Sequence, residues 1–275
     1  MSPGPPRLVG LPWDASSSFL RGAAAAPPAI RAALFSPAGN PFAENGRDLS
    51  GPAGLGDAGD LHLPESAPAA RAAIEAGVAA LLDQGARPIA LGGDHSVTYP
   101  ALRALGPRHP GLTILHIDAH PDLYDEFEGD PFSHACPFAR ILEDGLAVRL
   151  VQVGIRTRTE HQRRQAARFG VETIDMRAWA AGERPRVEGS VYLSIDLDGI
   201  DPAHAPGVAH REPGGLTVRE GVTLVQTAGG RLAGADVVEY NPRRDLDGVT
   251  AAVAAKLVRE IAGRMLAETE EATWR

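Results

Sequence analysis

The sequence predicts a three-layer α/β/α protein on a predominantly parallel sheet, and three observations carry that prediction. Six short runs rich in Val, Ile and Leu, at residues 8–13, 88–92, 112–118, 150–155, 191–196 and 235–240, are mostly continuous apolar stretches without in/out alternation. Strands buried on both faces of a parallel sheet read this way. Segments of helical period separate the runs, at 28–35, 67–84, 97–105, 134–144, 158–169, 217–229 and 247–268. Asp and His gather just past three of the runs, where the carboxyl ends of parallel strands collect ligands.

Taken in order, the run at 8–13 leads into helix 28–35, and residues 36–66 follow, rich in Gly, Pro, Asn and Asp. A connection that long inside a compact domain is a functional loop or carries short elements of its own. Strand and helix then alternate to the end of the chain. The last helix places Val253, Leu257, Val258 and Ile261 at helical spacing, with Lys256, Arg259 and Glu260 available for its wet face. Gly (31) and Pro (23) are spread among the turns and mark no linker, and no repeat is visible, so one domain is expected over residues 1–275.

Composition narrows the function. The chain is 44% hydrophobic and 23% charged, which excludes a disordered or fibrous protein. A formal net charge of −8 argues against non-specific binding to nucleic acid or to an anionic membrane. Cys136 is the single cysteine, so no intramolecular disulfide is possible. The first residues show no basic segment followed by an apolar one, and no run approaches 18 apolar residues. These features together lead to the expectation of a soluble cytoplasmic protein.

Three segments concentrate metal-type ligands. LGGDHSVT puts His95 just past one strand, LTILHIDAHPDLYD carries Asp118, His120 and Asp122, and VYLSIDLDGIDP carries Asp196 and Asp198. Side chains two apart on an extended backbone share a face, so the second and third runs each aim their ligands at one point. Four carboxylates and two imidazoles exceed the three protein ligands of a zinc-hydrolase site. They suit two divalent ions about 3.5–4 Å apart with shared carboxylates and a bridging water held as hydroxide. Oxygen-rich ligation with some imidazole and no thiolate favours Mn²⁺.

GGDHS, DAHPD and SIDLDGIDP in this order resemble the ureohydrolase family of arginases and agmatinases. SSFLRGAAAAPPAIR, APGVAHREPGGLTVRE and ADVVEYNPRRDLDGVTAAVAAKLVRE resemble in particular the plant-type arginases and their bacterial, agmatinase-like homologues. The similarity runs from about residue 8 to residue 259. It implies an eight-stranded sheet, two Mn²⁺ per subunit, a trimer or hexamer, and hydrolysis of a small guanidino substrate to urea plus an amine. L-arginine would give ornithine and agmatine putrescine. By the same resemblance His95, Asp118, Asp122 and Asp196 hold one ion, while Asp118, His120, Asp196 and Asp198 hold the other. His134, in FSHACPF, matches the family's proton-transfer histidine, and Glu239, in VVEYNP, the carboxylate that pairs with the guanidinium. Asp122 could relay a proton while ligating. Positioned acid–base help of this kind is worth about 10²–10⁴-fold.

The substrate's tail stays open between arginine, agmatine, a guanidino acid such as 4-guanidinobutyrate, and formimidoylglutamate. His210 fits the plant-type pattern and Arg211 departs from it. Facing the cavity, Arg211 would favour a carboxylate tail over the amine of agmatine; facing solvent, it says nothing. The acidic loop DLYDEFEGD would suit an amino group. A non-catalytic member would show damaged ligands, and all six are present along with His134 and Glu239. A two-metal phosphoesterase would need a phosphate cradle, and no Walker loop is found. Cys136 reads as a small buried residue, His116 as a core or ligand-supporting histidine, and His62, His109 and His161 as exposed. The arginines at 156, 158, 163, 164 and 168 read as a subunit contact or a solvated face.

Overall fold

The computed structural model describes residues 4–273, so both ends of the domain expected over 1–275 lie outside the described residues. In its first half, strands β1 (Pro6–Leu11), β2 (Gly56–Asp60), β3 (Arg87–Gly92) and β4 (Thr113–Ile117) alternate with helices α1 (Ala26–Leu34), α2 (Ala67–Asp83), α3 (Thr98–Leu105) and α4 (Pro137–Glu143). The second half adds β5 (Arg149–Val153), α5 (Glu160–Phe169), β6 (Glu172–Ile174), α6 (Met176–Ala180), β7 (Ser190–Asp196), α7 (Val218–Thr227), β8 (Arg231–Val238) and α8 (Val249–Thr273).

All eight strands form one sheet in the order β2-β1-β3-β8-β7-β4-β5-β6, and every pairing is parallel. The chain leaves a gap between β3 and β4, which its last two strands fill. The carboxyl ends of β3, β8, β7 and β4 therefore lie side by side at the middle of the sheet, although up to about half the sequence separates them. Apolar side chains of α1, α7 and α8 cover one face. Those of α2, α3 and α4 cover the other, in two clusters.

The six expected strands are present within a few residues. The two that sequence reading did not find are the sheet's edges. β2 is GDAGD, half-exposed along its length, and it gives a short element to the 36–66 segment. β6 has three residues. Edge strands lack one neighbour and pack less apolar surface, so no continuous hydrophobic run announces them. The helix expected at 134–144 starts instead at Pro137, in the first-turn position where proline's missing N–H costs nothing. His134 consequently sits on the loop ahead of that helix, free of a helical register.

A buried arginine ties the layers together. Arg87, on β3, donates to the carbonyls of Gly4 and Leu232 and to the carbonyl of Met265 and the carboxylate of Glu268 on α8. Arg87→Met leaves Glu268, itself largely buried, without that charge. The expected cost is roughly 3 kcal/mol of stability, measured by urea denaturation.

Candidate metal centre and active-site cavity

The loops leaving the four central strands carry the site. β4 delivers Asp118, His120 and Asp122; β7 delivers Asp196 and Asp198; β3 delivers His95; β8 delivers Glu239. Two of these residues have left-handed backbone, Asp122 (φ 49°) and Glu239 (φ 61°). Aspartate tolerates that region, whereas a glutamate there is held against its preference by the surrounding structure. Here Glu239 is held by its own N–H, which donates to the Gly93 carbonyl at 2.8 Å. Gly93 is required at its position: a Cβ would sit 1.7 Å from the Trp13 carbonyl oxygen.

The six expected ligands converge in two groups that share Asp118. His95 Nδ1 lies 3.2 Å from Asp118 Oδ2, 3.0 Å from Asp122 Oδ2 and 3.3 Å from Asp196 Oδ2. His120 Nδ1 lies 3.4 Å from Asp118 Oδ1 and 3.0 Å from Asp198 Oδ2. Asp118 thus turns one oxygen to each group. Burial and the charges of Asp198 and Asp118 push Asp196 well above the usual carboxylate range, and burial lifts Asp198 to about 6. His120 moves oppositely: burial pulls it down, but Asp198 and Asp118 drive it up to about 12.

Hydrogen-bond direction settles what this cluster accommodates. Ser194 Oγ donates to Asp236 Oδ1 at 2.7 Å, so its single proton is spent. The 2.9 Å contact between Ser194 Oγ and His95 Nε2 must then be donated by the histidine. In the neutral ring His95 Nδ1 then turns its lone pair toward three carboxylate oxygens, buried and without a hydrogen-bond partner among the described residues. That position calls for positive charge, a proton on Nδ1 or a cation, and with four carboxylates gathered around two imidazoles the donor set fits a divalent metal. Asp236 is the anchor of this arrangement, fully buried and also accepting from the Tyr192 and Thr98 hydroxyls at 2.8 Å each.

His116 is employed one layer back. Gln152 Nε2 donates to its Nδ1 at 3.0 Å, so Nε2–H donates to Asp118 Oδ2 at 2.7 Å. Burial keeps it neutral by lowering its pKa.

Above the cluster opens a cavity of about 180 Å³ lined by His120, Asp122, Asp196 and Asp198 at its acidic end, with His134, Glu239 and His210 on its walls. His134 Nδ1 meets Glu239 Oε1 at 2.8 Å, and the same oxygen accepts from His95 N at 2.9 Å. Tyr124, Phe127, Thr157, Thr159 and Gln162 also line the cavity, and no Lys or Arg among the described residues does. Arg211 is turned away, its guanidinium donating to the carbonyls of Pro206 and Arg244.

A family model described as the Arginase family matches residues 6–263. The chain belongs to the arginase family. It is an enzyme of the arginase/agmatinase type, and membership implies a binuclear metal centre. It is 46% identical to the mitochondrial arginase of Medicago truncatula, over 94% of this chain and 81% of that one. The match to the agmatinase of Bacillus anthracis is 36%, over 74% of this chain and 73% of the other. Among solved structures, the arginase from Medicago truncatula superposes with a TM-score of 0.92 at 44% identity, covering 96% of this chain and 88% of that one.

These relatives correct one expectation. The arginases of Medicago truncatula and Arabidopsis thaliana are named mitochondrial or chloroplastic/mitochondrial, which overturns the cytoplasmic placement read from composition. Net charge and a lone cysteine describe a chain's chemistry and carry no address.

Arg156 also departs from its expected place. It lies outside the α5 helix, half-buried, and donates to the carbonyls of Asp198 and Glu212, bracing two loops of this arginase-family site. Asp236 is the functional residue that sequence reading missed, although its position three before Glu239 on an apolar strand was a signal. Asp236→Asn is expected to weaken divalent-metal binding by about 10–100-fold. Metal titration of the folded protein checks this, with circular dichroism as the control for folding.

Proposed function

We propose that the protein is a manganese-dependent ureohydrolase that cleaves the guanidinium group of L-arginine or agmatine, releasing urea with ornithine or putrescine. His95, Asp118, Asp122 and Asp196 would hold one ion, and Asp118, His120 and Asp198, completed by Asp196, the other. Four carboxylates, two imidazoles and no thiolate support Mn²⁺. When bound, two such ions supply a water nucleophile at neutral pH and positive charge against the tetrahedral intermediate.

The observation that carries this reading is the contact of Glu239 with His134 inside the cavity that the ligand cluster floors. Both hydrogen bonds of the Glu239 carboxylate use Oε1, so Oε2 is the oxygen left for a guanidinium. A guanidinium is resonance-stabilised and its carbon a poor electrophile; a carboxylate that bonds it fixes the carbon over the nucleophile. The amine leaves readily only when protonated, and His134 is placed to supply that proton. Burial alone would lower its pKa, but the charge and hydrogen bond of Glu239 raise it to about 9.

The tail end of the cavity is aromatic and hydroxyl-lined, without a fixed cation. That supports a tail bearing an amine over one bearing only a carboxylate, and Arg211, tied to backbone carbonyls, supplies no argument for guanidino acids or formimidoylglutamate. We also read residues 1–275 as one domain, on the single unbroken sheet, and the assembly as a homo-oligomer, trimer or hexamer, on the family resemblance.

Urea release by Mn²⁺-loaded protein, with arginine, agmatine, 4-guanidinobutyrate and 3-guanidinopropionate in parallel, tests the reading. Arginine or agmatine is expected to lead; urea from the guanidino acids alone, or from none, would overturn it. The pH profile tests His134 separately. Its proton is held at neutral pH and lost as pH rises through about 9, so kcat should decline above that value. In His134→Asn the alkaline decline should vanish and kcat should drop by about 10²-fold or more.

A further inference from the structure

The strap that follows β1 carries none of the residues expected for the site, yet it is pinned against it. Ser16 N and Ser17 Oγ donate to the buried Asp94 Oδ2 at 3.0 and 3.2 Å. The Ser16 carbonyl accepts from His134 N at 3.1 Å, and the Leu20 carbonyl accepts from Asn241 Nδ2 at 2.7 Å. Between these anchors Ser18 is delivered to the far side of the His134 ring. Its Oγ lies 2.8 Å from Nε2 and its backbone N 3.2 Å from the same atom.

Both ring nitrogens of His134 are therefore engaged, Nδ1 by Glu239 and Nε2 by Ser18. Both residues line the cavity, His134 largely buried and Ser18 exposed. A proton leaving either ring nitrogen therefore meets Glu239 or Ser18 first. The backbone amide of Ser18 can only donate, which favours a bare Nε2; the hydroxyl beside it can accept from Nε2–H or donate to its lone pair. The hydroxyl can pair with Nε2 in either protonation state, whereas the amide opposes a proton there and favours its release.

We propose that the Ser18 hydroxyl carries the proton between buried His134 and the substrate's leaving nitrogen. The proton on Nε2 passes to Oγ as the hydroxyl's own proton passes to the nitrogen, and the C–N bond breaks with its electron pair going to that nitrogen. One proton leaves the imidazole and one arrives at the amine. Serine ends as a neutral hydroxyl pointing back at Nε2, and solvent reloads the ring along the same path. This rests on the reading of His134 as the proton donor.

The test is steady-state kinetics of the Mn²⁺-loaded full chain with its best guanidino substrate, comparing wild type, Ser18→Ala, Ser18→Thr, His134→Ala and the double variant Ser18→Ala/His134→Ala. Ser18→Ala is expected to lower kcat by about 10²-fold, within the range of positioned acid catalysis, with KM and metal content unchanged. Ser18→Thr, which keeps the hydroxyl, should recover most of the loss. In the His134→Ala background the serine substitution should add nothing, because the two act on one proton. Ser18→Ala at wild-type kcat, or losses that multiply in the double variant, would overturn the relay alone. A wild-type protein that releases urea from no guanidine would overturn the ureohydrolase reading beneath it.

Discussion

Four carboxylates buried at the carboxyl ends of the central strands β4 and β7 are the constraint to which the rest of this structure answers. Asp118, Asp122, Asp196 and Asp198 lie at most 7% exposed around two imidazoles. Isolated buried charges of one sign are costly by several kcal/mol each, and histidines alone cannot neutralise four. Asp196 and Asp198 are driven toward protonation and His95 and His120 toward positive charge, while Asp118, despite its burial, is held well below the usual carboxylate range by His116, His120 and His95. Divalent cations relieve both tendencies. The site is thus a negative cage whose stability and chemistry both wait on the same ions.

A cage of this kind needs its donors aimed as well as charged, and the aiming is done from behind. Asp236, through Ser194, makes Nε2 the protonated nitrogen of His95 and turns the lone pair of Nδ1 inward. Gln152, through His116, does the corresponding service for Asp118. Both chains run within the buried sheet, on β8, β7, β4 and β5, where side chains have little freedom to reorient. The backbone contributes as well. Asp122 and Glu239 each adopt a left-handed conformation in the turn from strand to loop, and hydrogen bonds from rigid neighbours hold them there.

Much of this was legible in the sequence, for a physical reason. Parallel strands buried on both faces advertise themselves as apolar runs, and ligands at two-residue spacing follow directly from strand geometry. What stayed hidden was hidden by the physics of edges and of long-range order. β2 and β6 escape because an edge strand need not be apolar on both sides. Asp236 escapes because one acid inside an apolar run looks the same whether it orients a ligand or fills a gap. Ser18 escapes because it touches His134 across more than a hundred residues of sequence. Strand order, absent from any local pattern, is what sets Glu239 between His95 and the β7 ligands.

The same contrast explains why the family was readable and the substrate's tail was not. The floor of the cavity is built from side chains anchored to strand ends, so its chemistry is written in short rigid motifs. The rest of the cavity wall, where the proposed reading seats the tail, includes Tyr124, Phe127, Thr157, Thr159 and Gln162, which come from two loops and the first turn of α5. None of these carries a formal charge, and discrimination there rests on hydroxyl and aromatic contacts whose partners depend on loop path. Tyr124 stacks on His161 and shares a hydrogen bond with Thr159, so the wall of the tail site is braced from outside the cavity. On the proposed reading, selectivity between an amino acid and a simple amine would rest on how these two loops lean on each other, above a floor that engages the guanidinium.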